Sequence, residues 1–146
     1  MYFAIHHVQL NCPPGTEDEQ RAFFAGVLGL TEQPKPARLA ARGGCWFRGP
    51  GESGTVEFHL GVADATAPPK AHPGVVWGDI TELRALANRL EAAGHPVTWD
   101  GELHGFPMRL NGSPGAPLHE PGMYRFYATD PNGNRLEFLA PMEPET

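Results

Sequence analysis

Apolar and polar residues alternate at two periods along this chain, and the periods change in a repeating order. From Ile5 to Leu10 the alternation is strand-like, with Val8 and Leu10 on one side and His7 and Gln9 on the other. Thr16-Glu17-Asp18-Glu19 then reads as a capping box, which starts a helix. Phe23, Phe24, Val27 and Leu28 form its apolar stripe and Gly29 ends it, predicting a helix over about Thr16 to Leu28. Extended pieces follow at Arg38 to Arg42, Cys45 to Arg48 and Thr55 to Val62. In the last of these Val56, Phe58 and Leu60 share one face and leave Glu57 and His59 on the other. The first module, about residues 4–62, reads β-α-β-β-β.

An alanine- and proline-rich linker, Ala63 to Pro69, separates it from a second module at about 72–141. Extended residues Gly74 to Trp77 lead into a second capping pattern, Asp79-Ile80-Thr81-Glu82. Ile80, Leu83, Leu86 and Leu90 recur at helical spacing and Gly94 closes the helix, predicted over about Asp79 to Ala93. Strands are expected at Pro96 to Asp100, Met123 to Thr129 and Asn134 to Leu139, the last two flanking the turn Asp130-Pro131-Asn132-Gly133. The order is again β-α-β-β-β.

The two modules align numerically. His7 to Gly29 and His72 to Gly94 each span 22 residues, an offset of 65, whereas Val56-Glu57-Phe58 matches Leu136-Glu137-Phe138 at an offset of 80. The difference of 15 falls in a glycine- and proline-rich insertion, 101–122, expected as an irregular flap near the site. The predicted fold is α+β: one domain of two pseudo-twofold-related modules whose sheets curve around a cavity.

Composition narrows the function. Eleven basic against seventeen acidic residues give a formal charge of −6, which leaves no basic field for nucleic acid. Eighteen glycines and sixteen prolines among 146 residues disfavour a helical bundle. No run is long enough to cross a bilayer, and nothing at the N-terminus reads as a signal peptide. Cys12 and Cys45 read as reduced thiols of a cytoplasmic protein rather than a disulfide or zinc framework.

Candidate chemistry lies on the faces opposite the apolar positions: His7 and Gln9, Glu57 and His59, Arg135 and Glu137, with His72 just ahead of its strand. A solvated antiparallel face explains such residues equally well. The repeat, however, superposes His7 on His72 and Glu57 on Glu137. Two imidazoles and two carboxylates suit a divalent first-row metal and leave two octahedral positions for water or substrate. His6 should alternate away, His95 sits at a helix C-terminus, and His104 and His119 lie in the insertion. Trp46, Trp77, Trp99 and Phe106 read as core or cavity wall, and Lys70 as solvated.

The segments His6-His7-Val8-Gln9-Leu10, Phe23-Phe24 through Val27-Leu28-Gly29-Leu30, and Phe126-Tyr127-Ala128-Thr129-Asp130-Pro131-Asn132-Gly133-Asn134-Arg135-Leu136-Glu137-Phe138 resemble the vicinal oxygen chelate superfamily. That superfamily includes glyoxalase I, extradiol dioxygenases, epimerases and metal-free bleomycin-binding proteins. The resemblance implies His7, His72 and Glu137 as ligands of a divalent ion (Ni, Co, Zn, Mn or Fe) and Glu57 as the optional fourth. Glu57 and Glu137 would also serve as catalytic carboxylates, with Gln9, His59 and Arg135 near the substrate. A gap placed differently brings Val75 to the ligand position, and His59 could replace Glu57. The implied function is a lyase, isomerase or epimerase acting on a small molecule chelated through neighbouring oxygens, in a homodimer. The alternatives are a metal-free binding protein and a single-domain extradiol dioxygenase.

Overall fold

In the computed structural model the described residues are 1, 5–49, 57–100 and 123–141. The expected flap at 101–122, with His104, Phe106 and His119, lies outside them, as do Thr55 and Val56. The chain divides into two compact units: residues 1–69 with 130–134, and residues 70–129 with 135–146. Among the described residues no helix is long and apolar enough to cross a membrane.

The first unit holds strands β1 (His7–Cys12), β2 (Thr31–Gln33), β3 (Cys45–Arg48) and β4 (Glu57–Val62) in the order β1-β4-β3-β2. Strands β1 and β4 are parallel, and the other pairs are antiparallel. Cys45 and Phe47 are buried on one face of β3, where Phe24 of the helical segment stacks on Phe47 at 5.3 Å and leans on Phe58 at 5.5 Å. Aromatic burial of this kind is the largest apolar contribution a small sheet-and-helix layer can make.

The helical segment departs from the expectation of one α-helix. Helix α1 (Glu17–Arg21) passes into a π-helical stretch, Ala22–Val27, in which the Leu28 amide donates to the Phe23 carbonyl five residues back at 3.0 Å. Thr16 also fails to cap it. Its hydroxyl donates backwards to the Pro13 carbonyl at 2.7 Å and so does not cap the helix. Residues expected as a strand at Arg38 to Arg42 instead begin within a short helix, α2 (Ala37–Ala40). Pro36 sets the backbone angle ahead of it, and Ala-Arg-Leu-Ala has high helical propensity. The pairing strand is β2, which is too short to show an alternation.

The second unit repeats the order as β5-β8-β7-β6, from β5 (Gly74–Val76), β6 (Thr98–Trp99), β7 (Met123–Thr129) and β8 (Arg135–Pro141). Its helix α3 (Ile80–Ala92) carries the capping box the sequence announces: Asp79 accepts from the Glu82 amide and Glu82 returns the bond to the Asp79 amide, both at 2.9 Å. Leu83, Leu86 and Leu90 are fully buried, as are Phe126 and Phe138, whose rings lie 5.3 Å apart. Both helices stop where glycine takes a positive φ, at Gly29 (74°) and Gly94 (87°). The turn 130–134 groups with the first unit, where Asn132 and Asn134 both donate to the Asn11 carbonyl at 2.9 Å.

Candidate functional site

In the first unit the strand register gathers the polar residues. β1 lies beside β4 with His7 opposite Glu57 and Gln9 opposite His59, while β3 places Arg48 opposite Glu57 and Trp46 opposite His59. The middle of this face is buried, with Glu57 and His59 each 6% exposed, while His7, Gln9 and Arg48 at its margins are exposed. Glu57 Oε1 accepts from Arg48 at 2.9 and 2.5 Å, and Oε2 accepts from His59 Nε2–H at 2.8 Å. The His59 bond, then the Arg48 bonds, hold the Glu57 carboxyl below its usual range. His59 is sandwiched, with Trp46 stacked on one side at 4.0 Å and His7 on the other at 4.1 Å. Burial, with His59 and His6 close by, lowers the His7 imidazole below its ordinary value. His6 does not turn away, since its Nδ1 lies 3.0 Å from that of His7. Gln9 is exposed and reaches no nearer partner than the Leu10 carbonyl at 3.5 Å.

The second unit gathers a comparable set by a different register. Glu137 on β8 faces Gly74 on β5 and Tyr127 on β7. The position mirroring His7 is therefore Gly74, and the offset of 65 that aligned His72 with His7 is two residues short in the sheet. His72 still reaches Glu137, with Nε2 lying 3.1 Å from Oε2. Val75 pairs with Phe138 and alternates to the opposite face. Glu137 Oε1 accepts from Arg125 at 2.8 Å and more distantly from the Tyr127 hydroxyl at 3.4 Å. Burial, then the Glu137 charge, raises the Tyr127 phenol above its usual value. Arg135 lies over the Tyr127 ring at 4.1 Å.

The His72 ring is fixed at both nitrogens. Nδ1 lies 2.6 Å from the Lys70 carbonyl, which can only accept, so Nδ1 carries a proton. A neutral ring then turns the lone pair of Nε2 toward a carboxylate oxygen that also only accepts. Two acceptors 3.1 Å apart need a positive centre between them, either a second ring proton or a bound cation.

Comparison with solved structures decides the family. A glyoxalase family protein from Bacillus anthracis shares 32% identity over 97% of this chain and 98% of its own, with a TM-score of 0.74. The chain belongs to the glyoxalase family, within the vicinal oxygen chelate superfamily. More distant structures share the fold. A glyoxylase/bleomycin resistance protein/dioxygenase domain from a Frankia species is 16% identical, covering 97% and 100% of the two chains, with a TM-score of 0.62. Lactoylglutathione lyase from Agrobacterium tumefaciens is 20% identical over 94% and 92%, with a TM-score of 0.55. No protein-family model and no curated protein sequence matches the chain.

For a glyoxalase family protein the next question is whether these residues suit a divalent ion. Among the described residues no three His, Cys, Asp or Glu side chains gather closely enough to hold one. The donors come in pairs, and the pairs differ. A nitrogen and an oxygen 3.1 Å apart, as in His72 and Glu137, span one edge of an octahedron built on bonds of about 2.1–2.2 Å. Gly74 lies beside this pair, where a Cβ would make ordinary contact with Glu137 Oε2 at 3.5 Å. In the first unit the stacked His7 and His59 rings are 11° from parallel, so their in-plane lone pairs do not converge. The second unit's pair has the spacing of two adjacent ligands of one ion, and a third described donor does not join it.

Arg48, Arg125 and Tyr127 were not among the residues singled out in the sequence, although all three touch the carboxylates. Alternation could have found them. Arg125 and Tyr127 flank the buried Phe126 on β7, two residues apart and so on one face, and Arg48 follows the buried Phe47.

Proposed function

We propose that this glyoxalase family protein is an enzyme that binds one divalent ion through His72 and Glu137 and acts on a small oxygenated molecule by isomerisation, epimerisation or lyase chemistry. The observation that carries it is the His72 ring, tied at Nδ1 to the Lys70 carbonyl with Nε2 facing Glu137. That backbone tie fixes the tautomer in the manner of metal-ligating imidazoles. His7 and Glu57, expected as ligands from the sequence, are proposed for the same role. When bound, the ion supplies Lewis-acid stabilisation of negative charge developing on two neighbouring substrate oxygens. Arg125 holds Glu137 Oε1, so Oε2 alone faces His72. Glu57 is kept ionised by Arg48 and His59, and Oε2 is the atom at which it would receive a substrate proton, displacing the His59 bond.

The test is metal stoichiometry. The protein should bind one ion per chain, lose it to a chelator and regain it from Ni, Co, Mn, Fe or Zn salts. His72→Ala and Glu137→Gln should lower occupancy at least tenfold, and His59→Asn should leave it intact. Absence of metal under every condition would sink the reading. It would favour a metal-free binding protein, whose support is that both carboxylates already carry a guanidinium.

A further inference from the structure

We infer that the substrate of this site carries a carboxylate, and that Arg135 receives it. The inference rests on the reading of His72 and Glu137 given above and concerns only residues of the second unit. Three guanidiniums lie on the strand faces that bear Glu57 and Glu137. Arg48 is paired with Glu57 and Arg125 with Glu137. Among the described residues Arg135 has no carboxylate partner, and its guanidinium lies over the face of Tyr127, 4.1 Å from the ring centre. A guanidinium over a ring face is held by cation–π attraction and keeps its planar fork of N–H donors, which matches the two oxygens of a carboxylate.

Its placement relates it to the proposed chemistry. Arg135 and Glu137 are two residues apart on β8, so they share a face with Cα atoms roughly 7 Å apart. His72 meets the same Tyr127 ring edge-on, with centroids 5.5 Å apart. One aromatic ring thus supports both the imidazole proposed for the ion and the unpaired guanidinium. In a chain of formal charge −6 a carboxylate gains nothing from the overall field, so a local unpaired cation has to provide the attraction.

The test compares two probes that present the same vicinal oxygens and differ in one carboxylate, catechol and 3,4-dihydroxybenzoate. Each is titrated calorimetrically into the full chain reconstituted with Zn2+, a redox-inactive ion. The carboxylated probe should bind about tenfold or more tightly than catechol, the scale of a charge-assisted hydrogen-bonded pair. Arg135→Gln should remove that preference while leaving catechol affinity unchanged, and Arg135→Lys should restore part of it. Equal affinity for both probes, or a preference that survives in Arg135→Gln, would overturn the inference alone. An equal loss for both probes in Arg135→Gln would make the residue a structural support and overturn it too. Failure of the zinc-loaded protein to bind either probe would overturn it together with the enzyme reading, and failure to take up zinc would be visible in the metal analysis beforehand.

Discussion

Glu57 and Glu137 occupy matching places in the two units, yet they are held in opposite ways. Each gives Oε1 to an arginine and faces a histidine with Oε2. Arg48 beside Glu57 is 50% exposed, whereas Arg125 beside Glu137 is 6% exposed. The histidine partners differ as well. His59 comes from the same strand and is clamped between two rings, so its Nε2–H is spent on Glu57. His72 comes from the chain ahead of β5 and is anchored through its other nitrogen. The same pair of residue types therefore makes a bond within one strand in one case and a bond between β8 and the chain ahead of β5 in the other. Residue identity fixes the available chemistry, and the neighbouring backbone selects which of it is used.

The sharpest way to break this comparison is to remove each negative charge in turn. Glu137→Gln takes the carboxylate from a buried guanidinium and should cost about 3–5 kcal/mol in urea denaturation. Glu57→Gln leaves a half-exposed Arg48 that water can solvate, and should cost about 1–2 kcal/mol. Equal losses would mean that arginine burial is not what distinguishes the two. Acid sharpens the result. Because the folded Glu57 carboxyl titrates below its unfolded value of 4.5, its stabilisation is present above that pH and lost as pH falls through the folded value. The melting temperatures of wild type and Glu57→Gln should therefore converge below about pH 4.5, and a constant gap down to pH 3 would contradict the cause given.

How much of this was legible in the sequence varies with the physics involved. Strands β3, β7 and α3 were readable because alternation and helical spacing are local properties. The strand that carries Glu137 was readable from the Asp-Pro-Asn-Gly turn that precedes it. The offset of 65 misaligned β5 by two residues, since sheet register depends on hydrogen bonds to β8 and not on distance along the chain. His72, in the chain ahead of that strand, nonetheless reaches Glu137. The ion pairs to Arg48 and Arg125 are cross-strand contacts, which spacing along one strand does not reveal.

The two helices extend the contrast at lower energy. Gln20 of α1 is fully buried, and among the described residues neither its amide oxygen nor its nitrogen has a hydrogen-bond partner. In α3 the fully buried side chains are leucines. Gln20→Met keeps the length and shape of the side chain while removing two buried polar groups, and should raise stability by roughly 1–3 kcal/mol. A loss of stability would show that the amide is satisfied in solution, by water for example, and that the first unit carries no such defect.

The smallest expected effect concerns how each helix begins. Asp79 and Glu82 exchange two hydrogen bonds at the start of α3, so Asp79→Ala should cost about 1 kcal/mol. Thr16 occupies the corresponding place before α1, but its hydroxyl is turned back to Pro13 and caps nothing. Thr16→Ala removes a bond within the preceding loop and leaves the first helical amides as they were. Its cost should accordingly fall below that of Asp79→Ala, within roughly 0.5 kcal/mol of zero. Thr16→Asp separates the two explanations for the difference. A carboxylate cannot donate to Pro13 but can accept from the open amides and favours the helix N-terminus, so it should stabilise the protein if the threonine is merely misdirected. If the backbone angles at residue 16, φ −104° and ψ 12°, keep any side chain from reaching those amides, Thr16→Asp will match Thr16→Ala.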